Sequence, residues 1–256
     1  MERNKPYYIA VDSDIIRALA FADILINSDH YVDFRKVSDP HIRNYSGYLK
    51  KMLRYMHEDK LRIVILNSVY QENKHSPALV DFIIENCYVP SITFENYNKV
   101  AQTVQKLAKK YCEPYFDKKS GTYLEPPMTA SFDANVQAVA PTNDSYHMAE
   151  ATLAGVSFVT INGKHFVFNE KEEDKTHNLR SKGIQQINLN EGYYQECEDG
   201  RIIVPKPFRF SVFGPLLNCV ENGSLYLSEV LEEGEMLPAK TIKEDILAGR
   251  YDARRL

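Results

Sequence analysis

The chain has 256 residues, of which 44% are hydrophobic and 26% are charged, and its formal net charge at pH 7 is −4. This composition is typical of a globular protein with a substantial core and excludes a largely disordered chain. No uncharged apolar run approaches the roughly 20 residues that span a bilayer, and the polar start is unlike a secretory signal. We therefore expect a cytoplasmic protein without a membrane segment. The net charge argues against indiscriminate coating of nucleic acid but allows a local basic groove.

The first half of the chain alternates between short apolar runs and segments with helical periodicity. Apolar runs bounded by turn residues predict buried strands, whereas apolar residues that recur every three to four positions predict amphipathic helices. The predicted elements are a strand at residues 7–11, a helix after Asp12, a helix at 41–57, a strand at 61–66, and helices at 78–87 and 94–111. Pro90 separates the last two helices as a breaker.

The second half begins with a long interruption. Between residues 113 and 141 the periodicity disappears and prolines are frequent, which indicates an excursion beside the active site. The elements predicted after it are a short helix from Asp144 that Gly155 closes, strands at residues 156–160 and 183–188, and short β-runs at 201–204 and 208–213. Strands separated by helices imply an α/β fold with a mainly parallel sheet.

Several polar residues fall where an open parallel sheet binds ligands, just past the carboxyl ends of its strands. Asp12 ends the first strand, Glu72 lies shortly after the second, and Asp144 opens the helix before the third. Asn162 and His165 follow that third strand. Carboxylate oxygens suit Mg²⁺ and Mn²⁺, and a cation held there can polarise a phosphoryl oxygen and orient an attacking water.

The same residues resemble the PIN family of nucleases. Residues 8–13, with the sequence Tyr-Ile-Ala-Val-Asp-Ser, are similar to the opening PIN strand and its first acid. Residues 68–72 are similar to the segment that carries the second acid. The most specific match joins residues 143–151, an alanine-rich helix with the third acid, to residues 154–166, which contain Thr-x-Asn-x-x-His-Phe at the characteristic PIN turn.

The resemblance implies a fold and a division of the chain. A three-layer α/β/α PIN-like domain with a mainly parallel central sheet would occupy residues 5–190. Residues 191–256 would form a small β-rich C-terminal extension, to which no role is assigned.

The resemblance also implies a metal-dependent endoribonuclease. Its catalytic acids would be Asp12, Glu72 and Asp144, which together with Asn162 would bind Mg²⁺ or Mn²⁺. Thr160 and His165 would be accessory residues. The expected partner is an RNA substrate, and an antitoxin protein is a second one because such nucleases are often the toxins of toxin–antitoxin pairs. Oligomerisation is left open.

The chain departs from the family pattern at two residues of the turn. Asn162 stands at the fourth acidic position and His165 at the later Asp position. A neutral amide supplies an oxygen but no charge, so we expect weaker metal binding than with four carboxylates. A histidine nitrogen suits Mn²⁺ better than Mg²⁺, so we expect manganese to support more activity.

Other interpretations of these residues stay open. Asp12 and Asp144 are each also suited to capping a helix start. The replaced acids fit a catalytically silent PIN-like module that binds RNA or a protein. The spacing of Asp12 and Asp14 is similar to the paired aspartates of haloacid-dehalogenase-like phosphatases, although the later metal-binding acids of that family have no counterpart in the sequence.

Overall fold

The chain is described by a computed structural model over a set of separate ranges. These are residues 6–28, 33–90, 115–117, 119–124, 146–147, 150–151, 153–161, 186–187, 193–197, 200–204, 208–210, 213–214, 217–221, 226–227, 236–249 and 251. The predicted helix at residues 94–111 lies outside them. Among the residues that are described, no helix has both the length and the apolar character needed to cross a membrane.

The described residues form twelve strands and several helices, and helices separate the strands in the first half of the chain. The strands are β1 (Tyr7–Val11), β2 (Leu61–Val64), β3 (Tyr88–Pro90), β4 (Tyr115–Asp117), β5 (Thr122–Leu124), β6 (Ser157–Thr160), β7 (Gln186–Ile187), β8 (Tyr193–Cys197), β9 (Gly200–Val204), β10 (Phe208–Arg209), β11 (Tyr226–Leu227) and β12 (Met236–Pro238). The longer helices are α1 (Ser13–Asn27), α2 (Pro40–His57), α3 (Asn67–Asn73) and α4 (Pro77–Asn86). Short helices cover Phe34–Lys36, Asn218–Glu221, Ala239–Ile242 and Lys243–Leu247.

A six-stranded sheet in the order β10-β6-β1-β2-β3-β12 is the centre of the fold. Strands β10, β6, β1, β2 and β3 run parallel to one another, and β12 pairs antiparallel with β3 at the edge. The register aligns Tyr7 with Leu61 and Ile9 with Ser157. The predicted α/β class with a mainly parallel sheet is therefore confirmed.

Local sequence explains how the central elements begin and where they are buried. In β1, Ile9, Ala10 and Val11 are fully buried, as expected for a strand in the middle of a sheet. Helix α2 begins at Pro40 after Asp39, whose side chain accepts hydrogen bonds from the first amides of the helix. The predicted helices at 41–57 and 78–87 and the predicted strands at 7–11, 61–66 and 156–160 are confirmed, with ends shifted by a few residues.

The structure adds detail to three local predictions. Pro90 is the last residue of β3, and the helix predicted after it lies outside the described residues. The excursion at 113–141 contains the hairpin of β4 and β5, whose turn includes Gly121 at a φ of 67°. Among the described residues of the predicted run at 208–213, Phe208–Arg209 form a strand.

The C-terminal part of the chain contributes to the central sheet and its core. Strands β10 and β12 form its two edges. Phe210 and Phe213 are almost fully buried in the same core cluster as β1, and Phe210 packs edge-on against Tyr45 of α2. The central sheet therefore contains strands from before and from after residue 191. The division of the chain into two parts at residue 191 stays a prediction.

Gly214 provides a test of this packing. A Cβ at Gly214 would lie 2.4–2.7 Å from three ring atoms of Tyr48 on α2. We expect Gly214→Ala to lower the free energy of unfolding by about 1–3 kcal/mol through overpacking. The matched control is Gly47→Ala on α2, where nothing lies within 4 Å and a gain of about 0.5–1 kcal/mol is expected from helix propensity. Urea unfolding measures the stability of the two variants. An unchanged stability of Gly214→Ala would contradict the packing of Gly214 against Tyr48 of α2.

Candidate functional site

The carboxyl ends of three neighbouring parallel strands meet at one edge of the sheet. Asp12 follows β1, Ile161 follows β6, and α3 begins at Asn67 shortly after β2. The backbone amide of Asp12 donates to the carbonyl of Val159 at 3.1 Å, which joins the ends of β1 and β6. This edge is where open parallel sheets place ligands, and it gathers the polar residues described next.

Asp12 is buried at this edge and accepts three hydrogen bonds. The backbone amide of Ile15 donates to Oδ1 at 2.8 Å, and the amide of Ile161 donates to Oδ2 at 3.0 Å. The hydroxyl of Thr160 also donates to Oδ2. Asp12 is therefore the N-cap of α1, and it also ties that helix to the end of β6. A carboxylate has about four acceptor positions, so these donors leave one on Oδ1.

The ionisation of Asp12 is shaped by opposing influences. Burial raises the pKa of Asp12 above its usual value of 3.8, because a charge loses its hydration inside the protein. The hydrogen bonds from Thr160 and Ile15 lower the pKa again, and the nearby charge of Asp14 raises it. Burial has the largest effect, so the charged carboxylate is held at a cost in stability that a bound cation would reduce.

Ser13, the residue that follows Asp12, holds Glu72 close to Asp12. The hydroxyl of Ser13 donates to the carboxylate of Glu72. The side-chain amide of Asn73 donates to the same hydroxyl oxygen at 3.0 Å and to the carbonyl of Val69 at 2.7 Å. These contacts fix α3 against the start of α1. The side chain of Glu72 keeps 26% of its surface exposed, which gives solvent access to the site.

His147 and Glu150 complete this network, although sequence reasoning gave neither a role. Nε2 of His147 lies 3.5 Å from the carboxylate of Glu72, and Nδ1 lies 2.7 Å from the hydroxyl oxygen of Ser68. That hydroxyl donates to Glu150 at 2.9 Å. Since Ser68 has a single hydroxyl proton, Nδ1 of His147 is assigned as the donor in its contact. The ring is thereby oriented with Nε2 towards Glu72.

Glu150 also supplies the cap that α3 lacks. Leu66 stands at the N-cap position and has no side chain to offer the first amides of the helix. The amide of Ser68 donates instead to the carboxylate of Glu150, which is fully buried. The carboxyl group has no solvent contact, and its oxygens accept from both donors of Ser68. The signal in the sequence was the pair of polar residues three apart, His147 and Glu150, within an alanine-rich helical pattern.

The structure brings some of the predicted site residues together and does not describe the others. Asp12 and Thr160 are in direct contact, and Glu72 reaches the same edge through Ser13. The other predicted ligands and accessory residues, Asp144, Asn162 and His165, lie outside the described residues. Within the described ranges, no group of three or more His, Cys, Asp or Glu side chains is arranged to hold a metal ion.

No family model, no curated protein and no solved structure matches the chain. The resemblance to the PIN family therefore rests on the residues of this chain alone.

Two substitutions in β6 test the role of Thr160. Thr160→Val keeps the shape but removes the hydroxyl that donates to Asp12, so we expect a loss of about 1–3 kcal/mol in the free energy of unfolding. The matched control is Ser157→Ala, because the buried Ser157 hydroxyl has no hydrogen-bond partner among the described residues. That variant should be as stable as the wild type or slightly more stable. Equal effects in chemical denaturation would show that the Thr160 hydroxyl contributes nothing.

Proposed function

We propose that the chain is a divalent-metal-dependent endoribonuclease with a three-layer PIN-like fold. In this proposal Asp12, Glu72 and Asp144 hold Mg²⁺ or Mn²⁺, with Asn162 as a further ligand and Thr160 and His165 as accessory residues. The observation that carries the proposal is the hydrogen bond from Ser13 to Glu72. Because Ser13 follows Asp12 in the chain, this hydrogen bond holds Glu72 close to Asp12. Action in the cytoplasm on RNA, with an antitoxin protein as partner, belongs to the same proposal.

The donor chemistry of the described residues fits such a cation. Asp12 and Glu72 offer carboxylate oxygens, the hard ligands that Mg²⁺ and Mn²⁺ take. Burial raises the pKa of Asp12, and a nearby positive charge would relieve the free-energy cost of its ionised form. The chemistry that a divalent cation supplies at such a site is polarisation of a phosphoryl oxygen and orientation of the attacking water.

The residues of the chain have separate tasks in this proposal. Asp12 is immobilised by three donors, so its remaining acceptor position on Oδ1 has a fixed direction. Glu72 is partly exposed, its carboxylate accepts a hydrogen bond from Ser13, and Nε2 of His147 lies 3.5 Å from it. Fixed carboxylates need little reorganisation when charge develops on a phosphate, and such preorganisation is a main source of catalysis.

Two alternatives are each favoured by one observation. The three hydrogen bonds to Asp12 explain this residue as a structural cap, which favours a catalytically silent module that binds RNA or protein. A phosphatase would use Asp14 as well as Asp12. The carboxylate of Asp14 lies on the surface of α1, 3.6 Å from Arg17, and its side chain is 39% exposed, so a ligand could reach it.

Cleavage assays on single-stranded RNA separate these functions. Asp12→Asn, Glu72→Gln and Asp144→Asn should each lower the rate about a hundredfold or more, since a bound cation contributes several kcal/mol to the transition state. Asp14→Asn and the distant surface variant Glu85→Gln are controls that should keep most activity. Wild type should be more active with Mn²⁺ than with Mg²⁺ if His165 faces the metal.

Three other results would each contradict a different part of the proposal. Absence of cleavage by the wild type with either metal would favour the silent module. An essential Asp14 together with a dispensable Asp144 would favour the phosphatase. If Asn162→Asp leaves the Mg²⁺ dependence of cleavage unchanged, Asn162 is not a ligand.

A further inference from the structure

Arg17 lies at the rim of the carboxylate site, and a buried residue of that site holds its guanidinium. It is on α1, one turn after Ser13, and its side chain is 53% exposed. Its Nε nevertheless donates to the side-chain oxygen of Asn73 at 2.7 Å. Asn73 is only 3% exposed and is the same residue that donates to Ser13 beside Glu72.

The hydrogen bonds of Asn73 connect the guanidinium to the site. Its amide nitrogen donates to Ser13 and to Val69, so its oxygen is fixed towards Arg17. Anchoring through Nε sets the plane of the guanidinium and leaves the two terminal nitrogens for other acceptors. These two nitrogens form the fork that matches a phosphate or a carboxylate in a bidentate contact.

The charge of Arg17 is only weakly compensated within the described residues. Its Nη1 lies 3.6 Å from Asp14, beyond normal hydrogen-bond distance, and both side chains are substantially exposed. Pairs of this kind contribute little to stability. The carboxylates of Asp12 and Glu72 repel a phosphate, so a substrate at this edge needs a cation beside the metal site.

We propose that Arg17 binds a phosphate group of a single-stranded RNA substrate at the rim of the Asp12–Glu72 site, with Asn73 as the residue that positions the guanidinium. The proposal rests on the proposed nuclease function for the identity of the substrate. It requires no movement of the buried network, because Asn73, Ser13 and Glu72 are already joined by hydrogen bonds.

The test measures binding of a fluorescein-labelled single-stranded oligoribonucleotide by anisotropy, in EDTA and over a series of KCl concentrations. Arg17→Ala should weaken binding about tenfold, as expected for one charge-assisted contact. The slope of log K against log [KCl] should become less steep by about 0.7, the value for one phosphate on a single strand. Arg17→Lys should keep the slope but recover only part of the affinity, since lysine lacks the planar fork. Arg43→Ala, an exposed arginine on α2, is the matched control and should leave both quantities unchanged.

Steady-state cleavage with Mn²⁺ gives a second measurement. Arg17→Ala should raise KM with a small change in kcat, because it removes binding rather than a catalytic acid. Equal affinity and equal slope for wild type and Arg17→Ala, or no binding by the wild type, would overturn the proposal for Arg17. A loss of binding in Arg17→Ala in a protein that cleaves RNA with neither metal would support the phosphate site and reject the nuclease.

Discussion

The carboxylate of Asp12 is buried beside the end of β6, and removing its charge from water costs free energy that three hydrogen bonds only partly offset. Those hydrogen bonds come from the first turn of α1 and from the residues that end β6. The same side chain therefore determines where α1 starts and how it meets the neighbouring strand. The positions of Ser13, and through it Glu72, follow from this arrangement.

A second buried carboxylate extends the same design to α3. Glu150 caps that helix through Ser68 and, through the Ser68 hydroxyl, orients His147 towards Glu72. Two residues therefore contact Glu72: Ser13 on α1 and His147. The buried members of this network define one geometry, because breaking a contact between them leaves a donor or acceptor without water. We infer that the network serves to fix the direction of the Glu72 carboxylate.

Sequence periodicity was sufficient for β1, β2 and β6 and for helices α1, α2 and α4, since continuous apolar runs such as residues 7–11 have few alternatives to a buried strand. It did not reveal β3, a three-residue strand that ends in Pro90, or the edge positions of β10 and β12, because such short strands are specified by their neighbours. In the site, strand-end acids were visible as a pattern. The roles of His147 and Glu150 depend on contacts between distant segments, which spacing alone does not encode.

The most direct test of the account compares unfolding of the wild type and Asp12→Asn over a pH series, with and without Mn²⁺. Burial raises the pKa of Asp12, so between pH 3.8 and the folded pKa this residue binds more protons in the folded state than in the unfolded state. Without metal, the wild type should therefore lose stability relative to Asp12→Asn as the pH rises through the folded pKa. With millimolar Mn²⁺ the trend should reverse, because the cation binds the ionised carboxylate of the folded state. Identical pH profiles with and without Mn²⁺ would contradict a metal site at Asp12.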